Sequence, residues 1–160
     1  MHRAEAGPVH PTAARFQDRA SALGIDIHVQ ELADSTRTAE DAARAVGCEL
    51  GQIVKSVVLK AADGGPMLCL CAGDRRIDLG ALGDGVVMAR GREVREATGY
   101  AIGGVPPICH ERPVATVVDS SLRRFSTVWC AAGTPNAVFE IEVAALLRAI
   151  PGAELRDVGA

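Results

Sequence analysis

Aromatic side chains are almost missing from this sequence: Phe, Tyr and Trp make up 3% of its 160 residues. A core must therefore be assembled from Val, Ile, Leu and Ala, which suit strands and closely packed helices. Stacking platforms for nucleobases are correspondingly scarce. An excess of either charge is lacking too. The formal net charge of -3 excludes a protein that wraps duplex nucleic acid by charge alone, because such proteins carry a dominant basic face. A local basic patch stays open, although Arg75, Arg76, Arg92 and Arg123 are interspersed with acids and read as solvated surface charge.

The five cysteines, Cys48, Cys69, Cys71, Cys109 and Cys130, contain no CxxC pair and are odd in number. That fits neither a disulfide framework nor a zinc site, and points to reduced thiols in a cytoplasmic protein. His2, His10 and His28 lack partners at metal-ligand spacing, so no metal or other cofactor is expected. Nothing in the first twenty residues reads as a secretory signal, and no apolar run is long enough to span a membrane. A soluble intracellular protein is the expectation.

With 48% hydrophobic residues, a chain of this length can bury a core as one domain. Residues 1–11 hold two prolines and no periodicity, and read as a flexible leader; residues 12–160 read as a single domain. Thr12 is expected to cap a helix carrying Phe16, Ala20 and Leu23, with Gly24 as its stop. Residues 25–31 alternate like a strand. Thr38 caps a second helix that ends at Gly47. Residues 52–60 and 67–72 form a hairpin across the turn at Ala62 to Gly65. Short strands are expected at 86–89, 114–119, 127–131 and 138–141, with helices over 93–98 and 142–150. Hairpins mixed with scattered helices favour an α+β fold with a mixed sheet.

Fifteen arginines stand against two lysines, so Lys55 invites a reason. Strand parity sets it on the face of Val57 and Leu59, among apolar neighbours. An ammonium there needs an anionic or carbonyl partner, either a buried carboxylate such as Asp119 or Asp78, in a structural salt bridge, or a substrate group. The segment Tyr100 to Pro107 joins Gly103 and Gly104 to Pro106 and Pro107. The glycines allow close approach, so their N–H groups can face a carbonyl or a water, while the prolines stiffen the exit. A rigid turn is the plainer reading. Gly133 to Asn136 is a turn whose Thr134 hydroxyl and Asn136 amide could line a pocket. Cys109 and His110, adjacent on an extended chain, point apart and make a poor nucleophile and base.

The Lys55 strand, Thr98-Gly99-Tyr100, Gly103-Gly104-Val105-Pro106-Pro107, Asp119 and Gly133-Thr134-Pro135-Asn136 together resemble the YbaK/EbsC family, which includes the editing domain inserted in prolyl-tRNA synthetases. The resemblance spans about residues 12–158. It implies a mixed, partly barrel-like β-sheet flanked by helices, and a deacylase that removes a wrong, small amino acid from tRNA for proline. The partners it implies are aminoacyl-tRNA and a prolyl-tRNA synthetase.

Carried over by motif, Lys55 engages the substrate near its terminal adenosine. The Gly103, Gly104 and Pro107 loop holds the aminoacyl carbonyl and a water. Substrate contacts are implied for Ser56, Tyr100, Val105, Pro106, His110, Asp119, Thr134 and Asn136. The reaction of the family uses a positioned water or hydroxyl, without a metal or an enzyme nucleophile. Cys109 stands where many relatives carry glycine, and the span after Asp78 is shorter than expected. Two other readings remain: a module that binds aminoacyl-tRNA or a synthetase without chemistry, and a thiol hydrolase using Cys109.

Overall fold

A computed structural model describes residues 10–33, 36 and 38–159. Helix α1, Pro11–Ala22, buries Ala13, Phe16 and Ala20, three or four residues apart on one face. Its cap is His10, whose Nδ1 accepts the Thr12 N–H at 3.1 Å, because Pro11 takes the first helical position, where a missing N–H costs nothing. Thr12 therefore lies inside the helix instead of capping it. The helix also claims the last residue of the expected leader, whose first nine residues lie outside the described residues.

Strand β1 is only Val29–Glu31, shorter than the alternation suggested, and pairs with three residues, Phe139, Val138 and Ala137. Helix α2, Ala39–Val46, runs as expected from Thr38, whose hydroxyl accepts the Asp41 N–H at 3.0 Å, to Gly47 at φ 77°. There follow β2 (Val54–Lys60), β3 (Pro66–Ala72), α3 (Leu79–Leu82), β4 (Val87–Met88), α4 (Gly91–Thr98), β5 (Ala115–Asp119), β6 (Thr127–Ala131), β7 (Ala137–Glu142), α5 (Val143–Ala149) and β8 (Glu154–Arg156). The β8 strand was not expected from the sequence.

The strands form two sheets, β1-β7-β6 and β4-β2-β3-β5-β8. In the larger, β2 runs antiparallel to β3 and β4, while β5 runs parallel to both β3 and β8. An isolated parallel bridge between Ile53 and Trp129 ties the edge of β2 to β6 and partly closes the two sheets on one another. This is the mixed, partly barrel-like α+β arrangement that the family resemblance implied. The main core lies between the sheets, with Phe16 and Phe139 at 5.2 Å between ring centroids beside Leu68, Leu70 and Val118. The opposite face of the larger sheet carries a smaller cluster of Leu59, Cys69, Cys71, Val117 and Val158. Among the described residues no helix is long and apolar enough to cross a membrane.

Candidate active site

Strand β2 is the spine of the site. Its alternation sends Val54 and Val58 into the main core and sets Lys55 on the other face with Val57 and Leu59, against the small cluster. Lys55 lies opposite Cys71 in the ladder, and its Nζ donates to the main-chain carbonyl of Arg75 at 2.5 Å. The partner is thus a carbonyl, and neither carboxylate considered from the sequence. Asp78 accepts the Gly80 N–H at the start of α3. Asp119 is fully buried and accepts the N–H groups of Ala72 at 3.1 Å and Ser121 at 2.9 Å.

The Arg75 carbonyl is held by its own side chain. The guanidinium Nε stands 3.7 Å from Asp119, and Nη2 donates to Asp157 at 2.5 Å and to the Gly159 carbonyl. The turn before it is fixed by the paired hydrogen bonds of Arg124 to Asp74, at 3.0 and 3.1 Å. Lys55 therefore rests on a frame built from β5, the turn after β3 and the segment that follows β8. Burial pushes the neighbouring thiols up, Cys71 to about 11 and Cys69 to about 12, so both stay protonated beside the ammonium.

A cavity of about 340 Å³ opens where β2 and β6 separate beyond the Ile53–Trp129 bridge. Lys55 and Ser56 line it from β2, Gly103 and Val105 from the loop after α4, Trp129, Cys130 and Ala131 from β6, and Pro135 from the turn before β7. Its walls are largely apolar, and no carboxylate is among the described residues that line it. Ser56 Oγ is buried in this wall without a hydrogen-bond partner.

The loop is a built structure. Gly104 donates its N–H to Ala101 O at 3.0 Å and accepts the Gly133 N–H at 3.0 Å, so its N–H is not available to a ligand as the sequence suggested. Gly103, at φ 87°, is exposed in the cavity wall, and among the described residues its N–H has no partner. The remaining residues named from motifs do not line this cavity. Pro107 and His110 lie on a second cavity behind the loop with Cys109. The Pro106 carbonyl contacts His110 Nε2 at 2.7 Å, Tyr100 donates its hydroxyl to the Cys109 carbonyl at 2.9 Å, and Asn136 donates to the Ala33 carbonyl at 3.1 Å. The Thr134 main chain packs against Gly104. These residues brace the loop and its facing turn. Trp129, Cys130, Ala131 and Val138, which line the cavity, carried no sequence signal beyond their strands.

Cys109 has φ 65°, the left-handed conformation that glycine adopts freely. Burial raises its thiol pKa and lowers that of the His110 imidazole. A protonated thiol outside the cavity is a poor nucleophile for a substrate inside it. Among the described residues no group of three His, Cys, Asp or Glu is placed to hold a metal ion.

A family model described as "Aminoacyl-tRNA editing domain" matches residues 33–149. The chain belongs to the YbaK/EbsC family of aminoacyl-tRNA editing domains. The curated "Uncharacterized protein YwhH" of Bacillus subtilis is 35% identical over 117 residues, 71% of this chain and 74% of that protein. The "Putative Cys-tRNA(Pro)/Cys-tRNA(Cys) deacylase EbsC" of Enterococcus faecalis is 27% identical over 69% of this chain and 70% of its own. Among solved structures, a "putative trans-editing enzyme for prolyl tRNA synthetase" superposes with a TM-score of 0.88 at 42% identity, covering 96% of this chain and 99% of that one. The hypothetical protein APE2540 superposes at 0.81 and 30% identity, covering 90% and 98%.

Proposed function

We propose that this protein hydrolyses the ester of misacylated tRNA in trans, with tRNA for proline carrying a small amino acid as its substrate. The observation that carries the reading is a cavity that sets Lys55 and Ser56 on one wall and Gly103 and Val105 on another, in a chain of the editing family. Two relatives whose names mention prolyl-tRNA synthetase and Cys-tRNA(Pro) support the choice of tRNA.

The chemistry asked of the site is modest, because an aminoacyl ester is already activated. A water attacks the ester carbonyl, the bond to the ribose oxygen breaks, and the products are a free amino acid and a tRNA with its terminal hydroxyl restored. Lys55 anchors the terminal nucleotide from its seat on the Arg75 carbonyl. The Gly103 N–H faces the reacting centre and offers a donor to the developing oxyanion or to the water. Holding ester and water in one geometry supplies the rest of the acceleration. The largely apolar walls suit a small uncharged cargo side chain.

The test is a panel of tRNAs for proline charged with alanine, cysteine, serine or threonine. Release of at least one of these amino acids is expected. Binding of charged tRNA with no ester loss from any of them would turn the protein into a recognition module.

A further inference from the structure

The ladders of the larger sheet show which main-chain groups of β2 face the cavity. Ala61 donates to Gly65 across the hairpin, so the odd-numbered residues of β2 bond to β3. Lys60 accordingly pairs with Pro66, which has no N–H to give. On the other edge Ala89 donates to the Val58 carbonyl at 3.2 Å, which confirms that the even-numbered residues turn away from β3. Strand β4 leaves after Met88, and the bridge of Ile53 to Trp129 lies before Val54. Ser56 pairs with Leu70 of β3, but no ladder covers its other edge among the described residues, so its N–H and C=O are directed into the gap.

The facing lip has the same character. Ala132 donates to Ala137, so the even-numbered residues of β6 bond to β7 and Ala131 turns its main chain toward β2. Two strand edges therefore diverge around a largely apolar cavity. An unpaired donor and acceptor facing such surroundings cost free energy until something pairs with them.

We infer that the aminoacyl end of the substrate docks on β2 as a one-residue strand, its ammonium donating to the Ser56 carbonyl and its ester carbonyl accepting the Ser56 N–H. This rests on the deacylase reading and adds how the cargo is held. The fit is one of pattern: an α-amino ester carries a donor and an acceptor on neighbouring atoms, as a strand residue does on its edge. Such pairing reads the part common to all amino acids, while the cargo side chain meets the apolar walls. The second lone pair of the ester carbonyl stays available to the Gly103 N–H.

The test uses amide hydrogen exchange of the intact protein with an adenosine that carries alanine through an amide in place of the ester. On binding, the Ser56 amide proton is expected to exchange about tenfold more slowly, and removal of the amino group from the analogue is expected to weaken binding at least about tenfold. S56A removes the hydroxyl but keeps the edge, so the protection should survive. Loss of protection in S56A would move recognition to the hydroxyl and overturn the inference. An analogue that shifts the Val105 and Cys130 signals but leaves the Ser56 amide unchanged overturns it too, with the deacylase reading intact. No binding and no ester loss from any charged tRNA would remove both.

Discussion

Gly133 donates its main-chain N–H to the Gly104 carbonyl at 3.0 Å, and this bond seals the loop after α4 against the turn before β7. A Cβ on Gly104 would stand 2.7 Å from Thr134 Cα and 2.9 Å from the Gly133 carbonyl, main-chain atoms that cannot swing aside. G104A is therefore expected to force the two segments apart, at a cost of about 1–3 kcal/mol, and to slow deacylation. G103A meets only Pro135, at 3.7 Å, and should lose about 1 kcal/mol from its positive φ. Urea denaturation separates the two, and a G104A protein as stable as the parent would refute the seal.

Asp119 acts through the main chain of Ala72 and the guanidinium of Arg75, which carries the Lys55 acceptor. Removing this buried carboxylate leaves the Ala72 and Ser121 N–H groups without their acceptor and takes away one of the two carboxylates beside Arg75, so D119A should destabilise the fold by about 3 kcal/mol. Chemical denaturation checks this, and a loss well under 1 kcal/mol would mean that the Arg75 seat does not depend on Asp119.

At Cys109 the left-handed φ of 65° strains a residue with a Cβ. C109G should relieve about 1 kcal/mol of that strain, offset by loss of a half-buried thiol. C109S should keep full deacylation, measured with the same charged tRNA. Loss of activity in C109S would revive the thiol mechanism.

His110 gives the fold a dependence on pH. Burial is the larger influence and lowers its pKa below 6.5, outweighing the opposing hydrogen bond to the Pro106 carbonyl. The neutral ring then carries its proton on Nε2, donating to that carbonyl. Because the unfolded chain takes up the proton first, stability is complete above pH 6.5 and falls as the pH drops from there toward the folded-state value. Thermal melts between neutral and mildly acid pH should show this decline, and H110Q should flatten it. A decline of equal size in H110Q would assign it to other groups.

Much of this architecture is legible from local chemistry. The Thr38 cap and the Gly47 stop bound α2, and the turn at Ala62 to Gly65 sets the central hairpin, because each signal acts within a few residues. Strand β8 escapes such a reading. Glu154, Leu155 and Arg156 are mostly polar, and their pairing, Val118 with Leu155 among others, is parallel and remote in sequence. The strand expected over residues 25–31 is shorter because only Val29 to Glu31 pair with β7, and at its start Gln17 takes the Val29 N–H at 2.7 Å. In the site, the motifs named Lys55, Ser56, Gly103 and Val105, which line the cavity, together with residues that do not, and could not separate the two groups. Tyr100, Pro106, His110 and Asn136 bond to main-chain groups that shape the loop and turn, a division that depends on strand divergence and not on residue type.

The two lysines give the most direct test of the central claim. Lys60 pairs with Glu93 at 2.7 Å on a partly exposed surface, so K60A should cost less than about 1 kcal/mol and leave activity intact. Lys55 lines the cavity. Release of the amino acid from mischarged tRNA for proline should therefore proceed at the parent rate in K60A and about a hundredfold more slowly in K55A, with K55A still folded. Equal rates for K55A and the parent would contradict the account.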